Sequence, residues 1–130
     1  MKAEKVQQIT IRTPNEAGTM GKVFSLIAKA GVNVRAFVAY VMSNQGVFKL
    51  LTSDNAKVAG LVEGAGYTAE MSDVVAVTCT DAIGTGADMG TKLGSAGVNI
   101  DYAYASGTGA GEAIAVFSVD NVDKAVKALG

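Results

Sequence analysis

The chain has 130 residues, 49% of them hydrophobic and 18% charged, which is enough apolar content for a packed core and argues against disorder. Its 11 Lys and Arg against 12 Asp and Glu leave a net charge of -1, so there is no electrostatic footprint for nucleic acid or for an anionic membrane. The absence of His removes the commonest general base and zinc ligand together, and the single Cys79 has no partner for an internal disulfide.

The first predicted element is a strand over residues 6 to 12, where Ile9 and Ile11 alternate with Gln8, Thr10 and Arg12 in the period of a half-buried strand. A loop, TPNEAGT, follows. From Met20 the apolar spacing changes to Met20, Val23, Phe24, Ile27 and Ala30, one stripe of a helix that Gly31 can end in the left-handed conformation. A strand over 32 to 41, a hairpin turn at SNQG and a return strand in VFKLLT complete the order βαββ. Asp54 or Ser53 can cap a second helix that turns Val58, Leu61, Val62 and Ala65 inward, with Gly64 and Gly66 at its end and a fourth strand over Tyr67 to Met71.

The same order then repeats. GVNV at 31–34 returns as GVNI at 97–100, an offset of 66 residues, and read without a gap this offset pairs Gly18 with Gly84, Thr19 with Thr85, Ala39 with Ala105, Asp54 with Asp120 and Asn55 with Asn121. The second copy predicts a strand at 74–80, a loop at 81–87, a helix at 88–96, strands at 98–106 and 112–118 and a helix at 120–129. Domains are expected at 1–72 and 73–130. Gly130 aligns with Gly64, so the second copy lacks its fourth strand, a place left to residues near Lys2 to Val6, to another chain, or to an open edge. The start, MKAEKVQQITI, has no apolar run of signal-peptide length and no stretch of about 18 apolar residues occurs, so a soluble, cytoplasmic protein is expected.

Three glycine-rich segments invite a phosphate reading and fail it. DAIGTGADMG spaces its glycines as GxGxxxG, one residue off the dinucleotide fingerprint, in a unit too short for a mononucleotide fold; SGTGAG at 106–111 precedes no helix; AGTMGK lacks the longer P-loop cradle. No cofactor and no metal is expected, since oxygen ligands at calcium-loop spacing are missing as well. Asp81, Asp88, Asp101, Tyr102 and Tyr104 supply acids and phenols but no nucleophile with an identifiable base, so the reading is non-catalytic.

Both copies place a polar residue, a short loop and a glycine just before the first helix: Asn15 to Gly18 and Asp81 to Gly84. The unsatisfied N–H groups of a helix start can receive a carboxylate, and Asn15 or Asp81 can accept hydrogen bonds from an amine. Asn33 and Asn99 follow the helix and head the next strand, where their carboxamides suit a zwitterion or else only satisfy turn backbone. The expectation is that each helix beginning and its strand-initial carboxamide stand side by side and form one cleft.

At this point the sequence resembles the ACT domain, a ferredoxin-like unit of regulatory proteins in amino-acid metabolism. The resemblance is carried by NEAGTMGKVFSLIAKAGVNV and again by VAVTCTDAIGTGADMGTKLGSAGVNI, each reading as strand, Asn or Asp, small loop, Gly, helix and G-[VI]-N-[VI]. It implies an α+β fold of two ferredoxin-like βαββαβ units in tandem, antiparallel sheets with helices on one face, the second lacking its last strand. It further implies an effector, an amino acid, bound at an interface between units by Asn15, Glu16, Ala17, Gly18, Thr19, Met20, Asn33 and Val34, and in the second copy by Asp81, Ala82, Ile83, Gly84, Thr85, Asn99 and Ile100. A homodimer, and a separate metabolic enzyme that responds to the bound state, are the implied partners, with no nucleic acid and no membrane. Copy two departs from the pattern in having Gly90 where Phe24 stands and in its glycine-rich loop. The competing reading is a structural, oligomerising module with no ligand.

Overall fold

The structure, a computed structural model, describes residues 1–130. Its elements in order are β1 (Lys2–Pro14), α1 (Thr19–Lys29), β2 (Val34–Met42), β3 (Gln45–Thr52), α2 (Asn55–Gly64), β4 (Thr68–Thr80), α3 (Thr85–Ser95), β5 (Ile100–Ser106), β6 (Glu112–Val119) and α4 (Val122–Leu129). The chain gathers into two compact units, Gln7–Ser72 and a second made of Asp73–Gly130 together with Met1–Val6.

In the Gln7–Ser72 unit the strand order is β2-β3-β1-β4, and the core joins Ile9 and Ile11 of β1 and Phe48 and Leu50 of β3 to Val23 and Ile27 of α1 and Val58 and Val62 of α2. The other unit repeats this as β5-β6-β4-β1, with Val75, Val77 and Phe117 packed under Met89, Leu93, Ala125 and Leu129. The βαββαβ order therefore occurs twice in an α+β fold, and both cores draw on the apolar stripes that the spacing predicts, although Met20 and Ala65, expected on those stripes, are exposed at the helix ends. Two predicted strands at 67–71 and 74–80 are one continuous strand, because neither Gly nor Pro breaks TAEMSDVVAVTCT and the Ser72–Asp73 pair stays extended. The alternation in β1 suggests a half-buried strand, yet Gln8 and Thr10 are buried along with Ile9 and Ile11.

The missing strand of the second unit is supplied from the N-terminus. Lys2–Val6 belongs to that unit, Ala3 packs against its core, and Lys5 Nζ lies 3.9 Å from Asp73 and 3.7 Å from Asp123. The second unit thus has its fourth strand, and residues 1–6 leave the linear 1–72 division for the unit that follows. The physical reason is that a strand pairs with whichever edge offers unsatisfied N–H and C=O groups, not with its nearest sequence neighbour.

The copies also do not align without a gap. Ser43 and Asn44 make a two-residue turn with φ of 51° and 58°, the conformation that matches the twist of a tight hairpin. In the second unit residues 107–111 replace it, and the register after them moves by one. Asp54 caps α2 by accepting from the Lys57 N–H at 3.1 Å, and it is Asn121, not Asp120, that caps α4, accepting from Lys124 N–H at 3.0 Å. Asp120 instead receives the Asn99 N–H at 3.0 Å, the part that Ser53 plays for Asn33 at 2.9 Å. Beyond the hairpin the offset is therefore 67, and the buried pair Val58 and Val62 matches Ala125 and Leu129.

The helix–sheet contact is filled differently in each copy. Phe24 meets Phe37 edge to face at 4.9 Å between ring centroids and Phe48 at 6.5 Å. Their counterparts are Gly90, Ala103 and Ala115, so three rings are exchanged together for nothing larger than a methyl. Within α3, Gly90 has open space where a Cβ would stand and a helical backbone. Gly90→Ala is therefore expected to raise stability by about 0.5–1 kcal/mol through lost unfolded-state freedom, read as a higher denaturant midpoint at unchanged slope.

Candidate functional site

In the first unit the route from β1 into α1 is fixed by small local contacts. The Glu16 N–H donates to Pro14 O at 3.1 Å, and Thr19 Oγ1 donates to Glu16 O at 2.9 Å. Gly18, the residue before the helix, holds φ of 86° and provides no side-chain cap. The first intrahelical bond runs from Lys22 N–H to Gly18 O, so the N–H groups of Thr19, Met20 and Gly21 face away from the helix start without intrahelical partners.

Of these residues, Thr19 and Met20 line a cleft of about 270 Å³. Of the expected site residues, Asn15, Glu16, Gly18, Thr19 and Met20 line it and Ala17 does not. Its opposite wall is Tyr40 and Val41 at the end of β2 and Phe48 in β3, residues that the sequence reading missed as site residues. Pro14 and Met42 both pair with Gln45, which brings the end of β1 and the end of β2 to one end of the sheet. Val41 is 58% exposed and Met20 42%, giving this cleft an uncovered apolar side.

Asn33 and Val34 are not in that cleft. They follow the C-terminus of α1, an 11-residue helix about 16 Å long, and so sit at its far end within their unit. Asn33 exchanges both backbone groups with Ser53, its N–H to Ser53 Oγ at 2.9 Å and its C=O accepting from Ser53 N–H at 3.0 Å. Asn99 does the same with Asp120. The expected pairing of helix beginning and neighbouring carboxamide is corrected for each unit taken alone, because a helix separates its own two ends.

The second unit has an equivalent cleft of about 220 Å³, with Asp81, Ala82 and Thr85 on one side and Ala105 and Ala113 on the other. Ile83 and Gly84 turn to a different hollow, and Ile83 is fully exposed. The glycine-rich stretch expected as a loop to residue 87 is helical from Thr85, since Gly84 with φ of 86° already makes the turn. Asp81 is half-buried where Asn15 is exposed, and its carboxylate accepts from the Gly109 N–H of the hairpin. On β5, burial raises the Tyr104 phenol above its ordinary range, reinforced by Tyr102, so it keeps its proton and provides no base. No cluster of three or more metal-ligating side chains is gathered, and no helix is long and apolar enough to cross a membrane.

A family model described as an ACT domain pair matches residues 4–129. The chain is similar to protein BT0572 from Bacteroides thetaiotaomicron, with 25% identity, a TM-score of 0.88, and 98% of this chain and 88% of that one covered. It shares its fold with the regulatory subunit of aspartate kinase from Thermus thermophilus at 17% identity and a TM-score of 0.69, covering 96% of this chain and 94% of that one. Aspartate kinase from Clostridium acetobutylicum also shares it, at 16% identity and a TM-score of 0.60, where 98% of this chain spans 33% of the enzyme. No curated protein matches.

Proposed function

Because the chain belongs to the ACT domain family, as a pair of such domains, we propose that it is a non-catalytic regulatory protein whose effector is an amino acid. The observation that carries this reading is the open cleft of the first unit, where an uncapped helix start meets an apolar wall. The N–H groups of Thr19 and Met20 suit an α-carboxylate, and the carboxamide of Asn15 and the carboxylate of Glu16 suit the ammonium. Met20, Tyr40, Val41 and Phe48 then favour an apolar side chain over a charged one. Asp81, Ala82 and Thr85 are the second-unit counterparts. Asn33, Val34, Asn99 and Ile100 join the set only when a second copy presents them, which fits a homodimer. A separate enzyme of amino-acid metabolism would respond to the bound state.

Thermal unfolding in the presence of each common amino acid tests this. A ligand at 100 times its dissociation constant is expected to stabilise by about 2.7 kcal/mol, with apolar amino acids giving the largest upward shift. No shift with any of them at millimolar concentration would overturn the reading.

One observation favours the structural alternative. The edge strand β2 exposes Phe37, Tyr40, Val41 and Met42, an apolar row open to pairing with another chain. Sedimentation with and without amino acids separates the two: a stable dimer indifferent to every ligand favours assembly alone.

A further inference from the structure

We propose that the hairpin Gly107–Gly111 is a latch that engages the Asp81 carboxylate at the rim of the second unit's cleft, so that an effector must displace it there, while Asn15 at the first unit's cleft is exposed. The two copies differ here in one coherent way. The first hairpin turns in two residues, Ser43 and Asn44, and Asn15 beside it is exposed. The second is longer, and its extra chain is spent on Asp81. The Asp81 carboxylate accepts from the Gly109 N–H, and the Asp81 N–H donates to Gly111 O at 2.8 Å. Thr108 Oγ1 donates to Ala110 O at 2.9 Å and holds the loop in its bent form.

The glycines are what let the loop reach. Gly109 and Gly111 hold φ of 88° and 78°, which other residues adopt at a cost. At Gly107 a Cβ would stand 2.5 Å from Asp81 Oδ2, so the carboxylate lies directly over that backbone. The loop N–H thus takes the position in which an effector's ammonium would be received. The glycine richness that failed as a phosphate motif has a physical role as a close approach of backbone to a carboxylate. The consequence, which rests on the effector reading above, is that an effector's ammonium competes with the Gly109 N–H for Asp81 in the second unit and meets no such hairpin contact at Asn15 in the first.

The latch itself is tested without any ligand. Cys79 lines the latched cleft, is buried, pairs with Ala113 at the base of the hairpin, and is the chain's one thiol. Its labelling by a disulfide reagent under native conditions therefore reports how often this end of the unit opens. Asp81→Ala and Gly107→Ala are each expected to label about 5- to 10-fold faster than the wild type, the effect of losing roughly one hydrogen bond. Asn44→Gly in the first hairpin is expected to leave the rate unchanged. Wild-type rates in both latch variants, with circular dichroism unaltered, would overturn the proposal. Should Asp81→Ala fail to fold, hydrogen exchange in the wild type decides: a Gly109 amide no more protected than that of Thr108 overturns the latch. Because no effector enters either measurement, a failure here is distinct from a chain that binds no amino acid.

Discussion

Leu93→Ala and Ile27→Ala are each expected to lower the free energy of unfolding by about 3 kcal/mol, measured by urea denaturation. The two side chains occupy matching places on α3 and α1, and both are fully buried, at 0% and 1% exposure. The transfer cost of the removed atoms is similar. Ile27 belongs to a core with Ile9, Ile11, Phe48 and Leu50, and Leu93 to one with Val75, Val77, Met89 and Phe117. Each core therefore has large neighbours that can shift to recover part of the lost contact, and the void that remains sets the cost. A loss below about 1 kcal/mol at either position would mean that the helix settles onto its sheet when the side chain is truncated.

The fold was largely legible because periodicity and duplication supported one another. Met20, Val23, Phe24 and Ile27 mark α1 by spacing, and the same stripe returns as Met89 and Leu93 even though Gly90 interrupts it. What remained open was long-range. Lys2 to Val6 was one of three candidates for the second unit's last strand, and nothing local in KAEKV chooses among them, since edge pairing is decided by the partner's exposed backbone. The one-residue shift in the second copy was hidden for another reason: Asp54 and Asp120 match as letters, but a cap is defined by which residue precedes the helix, and there Asn121 serves as well as Asp54.

The candidate site was legible at its helix start and not at its walls. A glycine before an apolar stripe predicts a helix beginning, and both Gly18 and Gly84 are found there in the left-handed conformation. Tyr40, Val41 and Phe48 read as ordinary strand residues, because strand periodicity tells which residues share a face and not which end of the sheet a loop will overhang. The place of Asn33 was hidden for the same reason: like Asn99 it stands just before a bulge, between Val34 and Ala36 and between Ile100 and Tyr102, and its backbone exchange with Ser53 holds it at the end of its helix away from the cleft.

Removal of residues 2–6 is expected to destabilise the second unit by about 2.5 kcal/mol while leaving the first unit's core protected. Ala3 covers part of a core whose margin includes Val119, Val122 and Val126. Uncovering roughly 100 Å² of that apolar surface accounts for the loss at the usual transfer coefficient. The ion pairs of Lys5 with Asp73 and Asp123 add little, because all three side chains are half or more exposed. Backbone hydrogen bonds lost from β4 are replaced by water, and the freed segment regains its chain entropy, so neither enlarges the effect much. Hydrogen exchange reads the result by location. Amides of Asp73–Thr80 should lose protection first, since β4 becomes an edge there, whereas those of Ile9 and Ile11, paired with Leu50 and Phe48, should hold. Uniform loss across both units would instead mean that the two share one cooperative transition, in which case the N-terminal strand stabilises the whole chain.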